Sequence, residues 1–245
     1  PSGRVGFCHS EEEIIMYHFF VEPHQIGAEE IRIEGADVNH IRNVLRMKPG
    51  EEILISSREG GDYFCRVEEL EPEYVSAKIL EEWENKELPA RIHLFQGLPK
   101  GDKMELIIQK AVELGAYRVV PVSMKRSVVK LDAKKADAKR KRWNAVSESA
   151  AKQSKRSLIP EVAPLMTYKE AVKEAAGYDM VLLPYESADG IRKTRELLAS
   201  VKPGTDIAVF IGPEGGFEDE EVELARENGA EIVTLGKRIL RTETA

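Results

Sequence analysis

The segment Ile207–Phe217 constrains the fold of this chain more than any other. It opens with five consecutive apolar residues, Ile-Ala-Val-Phe-Ile, a run without alternation that is typical of a strand buried on both faces. Gly-Pro-Glu-Gly-Gly follows at 212–216, and an acidic helix is predicted to begin near Glu218. In open parallel sheets, ligands bind outside the carboxyl ends of the strands. The segment therefore predicts an α/β domain with a functional loop after this strand.

A second segment follows the same pattern, because the strand-like stretch Ile-Val-Thr-Leu at 232–235 leads into Gly236 and another loop. Glycines let a backbone come close to a ligand, so two such loops could form the floor of one small-molecule site. The chain has no G-x-G-x-x-G after a strand and no G-x-x-x-x-G-K-[ST], so neither common phosphate-binding fingerprint is present. On the residues alone, 212–216 are equally well explained as a tight strand-to-helix turn.

The two halves of the chain follow different patterns. From Ile92 onward, strand and helix patterns alternate, which predicts a mostly parallel sheet with helices on both faces. From Phe19 to Leu80, short strands and glycine turns favour a small β-barrel, and residues 37–46 are predicted to form a short helix. The polar stretch 85–90 separates the two regimes. We expect domains at 16–86 and 90–245, with residues 1–15 an extension or an expression remnant.

The charge is distributed unevenly along the 245 residues. The formal net charge is −7, which is unfavourable for a nucleic-acid binder when taken as a sum. The segment Lys125–Arg156, however, holds 12 Lys and Arg against three Asp and Glu, a local charge of +9 that leaves −16 on the rest. Such an asymmetry can steer a polyanion to one face. A solvated helix surface would explain the same run.

Composition also excludes several classes of protein. No apolar run approaches 18 residues, so no membrane span is predicted. Two cysteines are too few for a disulfide framework or a zinc site, and the five histidines show no ligand spacing, so no metal is expected. The low cysteine content fits a reducing cytoplasm.

Three strings in the chain resemble the RsmE family of SPOUT-class methyltransferases. They are QGLPKGDKMELIIQKAVELGA at 96–116, IGPEGGF at 211–217 and LGKRILRTETA at 235–245, and the similarity runs from about Tyr17 to the last residue. Members of this family use S-adenosylmethionine to methylate ring nitrogen 3 of a uridine in 16S ribosomal RNA. The resemblance implies a trefoil-knotted α/β domain, a small PUA-like RNA-binding barrel before it, and a homodimer. A knot runs against the usual rule that chains do not thread loops.

The resemblance also implies a donor pocket built by three loops that follow strands. Glu186 and Glu214 could meet the donor's ribose or cationic groups, although either could instead cap a helix. Ile239 and Leu240 would be ordinary core residues if taken alone, but within their string they are expected beside adenine. The expected cofactor-binding residues are Leu183, Pro184, Glu186, Ile211, Gly212, Pro213, Glu214, Gly215, Gly216, Leu235, Gly236, Arg238, Ile239, Leu240 and Thr244.

The acceptor side requires a different chemistry. A uridine ring nitrogen must lose its proton, and a cation beside the ring oxygens would stabilise the resulting anion. Arg241 is the first candidate for that cation, and Glu243 is a candidate either to orient Arg241 or to remove the proton.

Contacts to RNA are expected from basic and amide side chains in both domains. Arg42 and Arg46 could simply solvate a helix face, and Gln153 and Arg156 could form a polar helix end. The expected RNA-binding residues are Arg42, Arg46, Lys125, Arg126, Lys130, Gln153 and Arg156.

One departure from the family pattern leaves a rival function open. Family members continue past the position of Ala245 into another helix that closes the donor pocket, so this domain is expected to lack its C-terminal helix. That feature favours a non-catalytic RNA-binding or ribosome-assembly factor that retains the fold. The intact GPEGG and RILRTETA strings favour the enzyme, because a pure binding module would not need them. The +9 segment and the missing phosphate motifs disfavour a nucleotide-binding enzyme of small-molecule metabolism.

Overall fold

The structure, a computed structural model, describes residues 17–57, 61–83, 87–186 and 190–245. The chain divides into two compact units, Pro1–Glu84 and Asn85–Ala245. Residues 1–15, for which the sequence predicts an extension, lie outside the described residues.

The N-terminal unit is a curled five-stranded sheet in the order β1-β3-β4-β5-β2. Strand β1 pairs in parallel with β3, and the other pairs are antiparallel. Alternate residues of the strands, such as Ile31 and Ile33 or Ile53 and Ile55, fill one core. The strands are β1 Tyr17–Val21, β2 Glu30–Glu34, β3 Glu52–Ser57, β4 Asp62–Leu70 and β5 Tyr74–Trp83.

The helix predicted over 37–46 takes a different form. Helix α1, Ala36–Asn39, continues as a π-helical turn over His40–Val44, closed by the Leu45 N–H on the His40 carbonyl at 2.9 Å. Arg46 then adopts a φ of +54°, and Met47 beyond it is buried in the core. The chain reverses at Arg46 to bring Met47 inward, so Arg42 and Arg46 do not form the expected pair on one helix face.

The C-terminal unit is a parallel sheet in the order β12-β10-β11-β6-β7-β8, with β9 also paired to β7. Every pairing within it is parallel, which confirms the predicted sheet type. Its strands are β6 Arg91–Gly97, β7 Arg118–Ser123, β8 Glu161–Val162, β9 Met166–Thr167, β10 Met180–Pro184, β11 Asp206–Ile211 and β12 Glu231–Val233. Its helices are α2 Lys103–Glu113, α3 Ala133–Gln153, α4 Tyr168–Ala175, α5 Ile191–Ala199 and α6 Asp219–Glu227.

Helices cover both faces of this sheet, as the apolar strand runs predict. Successive residues of β10 point to opposite sides, so Leu183 packs with the core beneath α4 and α6 while Leu182 packs beneath α5. Within the described ranges, no helix is both long and apolar enough to cross a membrane.

Local chemistry sets the helix ends. Asp132 Oδ1 accepts the Lys135 N–H at 2.8 Å and starts α3, and Thr167 with Glu170 forms a capping box at the start of α4. After α2 the chain turns at Gly115, whose φ of +98° is a conformation that side chains rarely allow.

Candidate active site

A cavity of about 490 Å³ opens at the carboxyl ends of β10, β11 and β12. These strands are neighbours and parallel, so the loops that follow them meet at one edge of the sheet. The walls come from residues 184–186, 211–217, 234–236 and 238–242, with Lys103, Arg126 and Ala245 completing the lining. The volume lies within the range of small-molecule sites.

The cavity brings together most of the residues expected to bind the cofactor. Leu183 is instead fully buried in the core, and Thr244 is exposed outside the lining. The lining includes Pro184, Glu186, Ile211, Gly212, Pro213, Glu214, Gly215, Gly216, Leu235, Gly236, Arg238, Ile239 and Leu240. Sequence reasoning missed further lining residues, namely Lys103, Tyr185, Phe217, Thr234, Thr242 and Ala245. The position of Tyr185 could have been predicted from the sequence, because it lies between Pro184 and Glu186, which are both expected cofactor-binding residues.

The Gly-Pro-Glu-Gly-Gly loop is shaped by close backbone approaches. A Cβ on Gly97, at the end of β6, would lie 2.6 Å from Pro213 Cδ and 2.7 Å from its nitrogen, so only glycine fits there. The Gly216 N–H donates to the Pro213 carbonyl at 2.8 Å to close the turn. Phe217 then enters the core and anchors the start of α6.

The C-terminal segment is pinned to the same loop through buried polar groups. The Gln96 side-chain amide donates to Thr242 Oγ1 at 2.9 Å, and the Thr242 hydroxyl donates to the Gly212 carbonyl at 2.6 Å. Both side chains are buried, so these bonds lock the end of β6, the loop after β11 and residues 241–243 together. The sequence signal was a glutamine at the end of an apolar strand, where a polar side chain needs a partner.

A charged cluster borders the cavity on the α2 side. Lys103 Nζ lies 3.1 Å from Glu214 Oε1 and 3.3 Å from Glu243 Oε2. Burial acts to raise the pKa of Glu214, but hydrogen bonds from the backbone of Glu214 and Lys100 and from Lys103 outweigh it, so the pKa is lowered. The pKa of Glu243 is also lowered, first by its own backbone N–H and, against some desolvation, by Lys103. Both carboxylates are therefore ionised at neutral pH.

Arg126, expected to contact RNA, instead braces the Gly-Pro-Glu-Gly-Gly loop at 212–216. Its Nη1 donates to the Gly215 carbonyl at 2.9 Å, and its Nε and Nη2 donate to the Glu218 carboxylate at 2.9 and 3.3 Å. Neighbouring Lys125 pairs with Glu220 through its ammonium and with Glu221 through its backbone. Both expected RNA contacts thus belong to ion pairs with the start of α6, because acidic residues distant in sequence face them.

Arg156 corrects the same expectation more strongly. Its side chain is 7% exposed, pairs with Glu87, and donates to the carbonyls of Val112 and Ala116 at 3.0 and 2.6 Å. The guanidinium N–H groups of Arg156 donate to partners within the C-terminal unit. Arg156 therefore stabilises that unit and is not placed to contact RNA. Gln153 and Lys130 are exposed.

The acceptor candidates lie at the rim of the cavity. The Arg241 side chain is 83% exposed, and its Nη1 lies 3.9 Å from Glu243 Oε1, whose side chain is 15% exposed. Ile239, 87% exposed, adds an apolar side chain to the same rim. Among the described residues, no group of three or more His, Cys, Asp or Glu is arranged to hold a metal ion.

Comparison with known proteins matches both units. Residues 86–245 match the family model of the RNA methyltransferase domain, and residues 33–80 match that of the RNA methyltransferase PUA domain. Ribosomal RNA small subunit methyltransferase E of Bacillus subtilis (strain 168) is 38% identical over 238 residues, which cover 94% of this chain and 93% of that protein. The protein of the same name from Synechocystis is 31% identical over 237 residues, covering 96% and 76%.

A solved structure agrees with these matches. The crystal structure of ribosomal RNA small subunit methyltransferase E from Neisseria gonorrhoeae, bound to S-adenosyl methionine, has a TM-score of 0.77 and 33% identity, covering 94% of this chain and 93% of that one. The fold is that of a SPOUT-class RNA methyltransferase with a PUA-like unit, as predicted. The chain belongs to the RsmE family of ribosomal RNA small subunit methyltransferases.

Proposed function

We propose that this chain transfers a methyl group from S-adenosylmethionine to ring nitrogen 3 of a uridine in the 16S RNA of the small ribosomal subunit. One observation carries the proposal. The cavity at the strand ends combines an apolar and carboxylate lining with an exposed arginine on its rim. Family membership supports the reaction class.

The lining fits the donor chemically. Apolar side chains of Ile211, Leu235 and Leu240 offer a surface for adenine, and the glycines of 212–216 let backbone groups approach a ligand closely. Glu186 and Glu214 place negative charge beside a cationic ligand. When bound, S-adenosylmethionine supplies a methyl group that its sulfonium makes electrophilic. The protein's part is to hold donor and acceptor in line, which can supply much of the rate enhancement.

The rim fits the acceptor. An exposed guanidinium at Arg241 can donate hydrogen bonds to the oxygens of a uracil ring, where negative charge develops as the ring nitrogen loses its proton. Glu243 is better suited to orienting Arg241 than to removing that proton, because its lowered pKa makes it a weaker base than an ordinary carboxylate.

RNA binding is assigned to both units. Lys130 and Gln153 present exposed polar groups in the C-terminal unit, and in the PUA-like unit Arg46 is exposed and Arg42 is partly exposed. The φ of +54° at Arg46 supports a functional role there, since strained residues cluster at binding sites.

The proposal includes a homodimer that works in the cytoplasm without a metal. The exposed apolar side chain of Ile239 at the rim supports association, because a second subunit would remove it from water. Light scattering over a concentration series measures the oligomeric state. A monomer at every concentration would refute the proposed homodimer.

The reaction is tested with small ribosomal subunits and S-adenosylmethionine carrying a labelled methyl group. After nuclease digestion, mass spectrometry of the nucleosides is expected to show labelled 3-methyluridine, with far less label after the same reaction time when Arg241→Ala replaces the wild type. Label on another nucleoside would refute the base assignment. No label at all, together with tight RNA binding, would favour the non-catalytic assembly factor.

A further inference from the structure

Lys103, the first residue of α2, touches both sides of the cavity through one ammonium group. It contacts Glu214 of the loop after β11 and Glu243 of the C-terminal segment, at 3.1 and 3.3 Å. Neither the family motifs singled out in the sequence nor the acceptor chemistry assigns it a role. No other cation in a described salt bridge joins these two loops.

The Lys103 ammonium neutralises part of the negative charge of two carboxylates at the cavity wall. The side chains of Glu214 and Glu243 are only 26% and 15% exposed, so two ionised carboxylates share one ammonium with limited screening by water. Lysine suits this position because its compact charge and three rotatable donors can serve two carboxylates at once. The hydrogen bond with Glu214 raises the pKa of Lys103, so the ammonium stays charged.

The contact also bears on the acceptor side. Thr242 is already fixed to Gly212, and Glu243 is the next residue. Lys103 therefore adds a second anchor to the segment that carries Arg241, whose guanidinium lies 3.9 Å from the same Glu243 carboxylate. Removing Lys103 would leave Glu243 to turn toward Arg241 and draw that side chain away from the acceptor.

We propose that Lys103 is a positioning residue for methyl transfer, which holds the Glu214 loop and the Arg241–Glu243 segment in fixed relation so that donor and acceptor align. This inference rests on the proposed function and adds a residue to it. Lys103 acts through Glu214 and Glu243 rather than on the reacting atoms.

The test compares Lys103→Met, Lys103→Arg and a control, Lys110→Met. Lys110 lies on the same helix and pairs with Glu113, outside the cavity lining. We expect Lys103→Met to lower the single-turnover rate at saturating donor and RNA by about 10- to 100-fold, since small misplacements carry costs of this size. Donor affinity, measured by calorimetry, should change by less than about threefold, because Glu214 keeps its bond from the Lys100 backbone.

Two further readouts separate positioning from a general structural role. Lys103→Arg should regain most of the rate, and the acid limb of the pH–rate profile of Lys103→Met should move to higher pH as Glu243 loses its cation. If Lys103→Met does not fold, Lys103→Gln, which removes the charge and keeps a hydrogen-bond donor, is the second variant and should show a loss in the same range.

The inference fails if Lys103→Met turns over at the wild-type rate, or if its whole deficit lies in donor affinity. It also fails if Lys103→Arg is as slow as Lys103→Met. A wild-type chain that binds donor but transfers no methyl group would overturn the proposed function, and the inference with it.

Discussion

Strands β6 and β11 are parallel neighbours, and their two ends are built differently. At the amino end, Arg91 and Asp206 stand opposite each other in register, with Arg91 Nε donating to Asp206 Oδ1 at 2.7 Å and His93 Nε2 at 2.9 Å from the same oxygen. At the carboxyl end, the same strands lead into Gly97 and the Gly-Pro loop, and a cavity opens.

The difference indicates that the amino end of the sheet stabilises the fold and that the carboxyl end forms the site. The amino end has large side chains that pair with each other, including the rings of Tyr117 and Tyr178 against His93. The carboxyl end has glycines, an open volume and the exposed Arg241. Changes at the carboxyl end should therefore affect binding and transfer, and changes at the amino end should affect unfolding.

The largest effect is expected from Gly97→Ala. The new Cβ would collide with the backbone nitrogen of Pro213, so the donor loop must move and donor affinity should fall by about 100-fold or more. Calorimetric titration with S-adenosylmethionine measures this. Gly177→Ala is the matched control, since a Cβ there meets only an ordinary contact of 3.5 Å. Wild-type affinity in Gly97→Ala would show that the loop does not form the donor site.

Arg241→Ala should separate transfer from donor binding. The single-turnover rate should fall by about 100-fold, the usual effect of removing a donor aimed at developing charge. Donor affinity should stay near the wild-type value, because the guanidinium is 83% exposed and Arg241→Ala leaves the Gln96–Thr242 and Thr242–Gly212 hydrogen bonds in place. Arg192→Ala, which removes another exposed arginine on α5, is the control. Equal activity in Arg241→Ala and Arg192→Ala would remove Arg241 from the acceptor side.

The sequence predicts much of this arrangement, and the reason is local. The unbroken apolar run predicts strand β11, and Gly115 predicts the end of α2. Both features depend only on residues that are neighbours in the sequence. Strands β8 and β9 were missed because two residues are too few to show a period. The strand ends and glycines indicated two of the cavity loops, and the family resemblance implied the third loop and the full list of cavity residues.

The charged residues show where such prediction stops. Arg126 and Arg156 lie in a basic run, and nothing near them in sequence reveals that Glu218 and Glu87 neutralise them. Lys103 likewise meets partners contributed by distant loops. An ion pair depends on tertiary proximity, which local charge patterns do not encode, so the sequence does not show which basic residues pair with distant acids, and the bracing residues were missed.

Asp206→Asn tests the amino end. The hydrogen bond from Arg91, against some desolvation and with help from His93, lowers the pKa of Asp206 to about 2 from its ordinary value of 3.8. The folded state therefore gains stability above pH 4 that is lost as the pH falls toward 2, at most about 2 kcal/mol. Urea unfolding at pH 7 should show this loss in Asp206→Asn, and the gap from wild type should close toward pH 2.

Two controls test whether the pH-dependent stability comes from the Asp206–Arg91 ion pair. Asp137→Asn, in an exposed pair with Lys141, should change stability by less than about 0.5 kcal/mol. Donor affinity of Asp206→Asn at pH 7 should match that of the wild type. A stability gap that does not vary with pH would contradict the role given to the Asp206 carboxylate.

The smallest effect is expected from Lys130→Gln. If the exposed Lys130 meets a phosphate, the slope of log affinity for RNA against log salt should decrease by about one. Lys202→Gln, in the loop before β11, is the control and should leave the slope unchanged. If Lys130→Gln and the wild type show the same salt dependence of RNA affinity, Lys130 does not contact a phosphate.

The assignment of the two ends is tested most directly by a crystal structure of this chain with S-adenosylmethionine. The account predicts density for the donor among residues 184–186, 211–217 and 234–242, with its sulfonium near a carboxylate and Arg241 free to meet an acceptor. Donor bound at any other place on the chain, with this cavity unfilled, would contradict it.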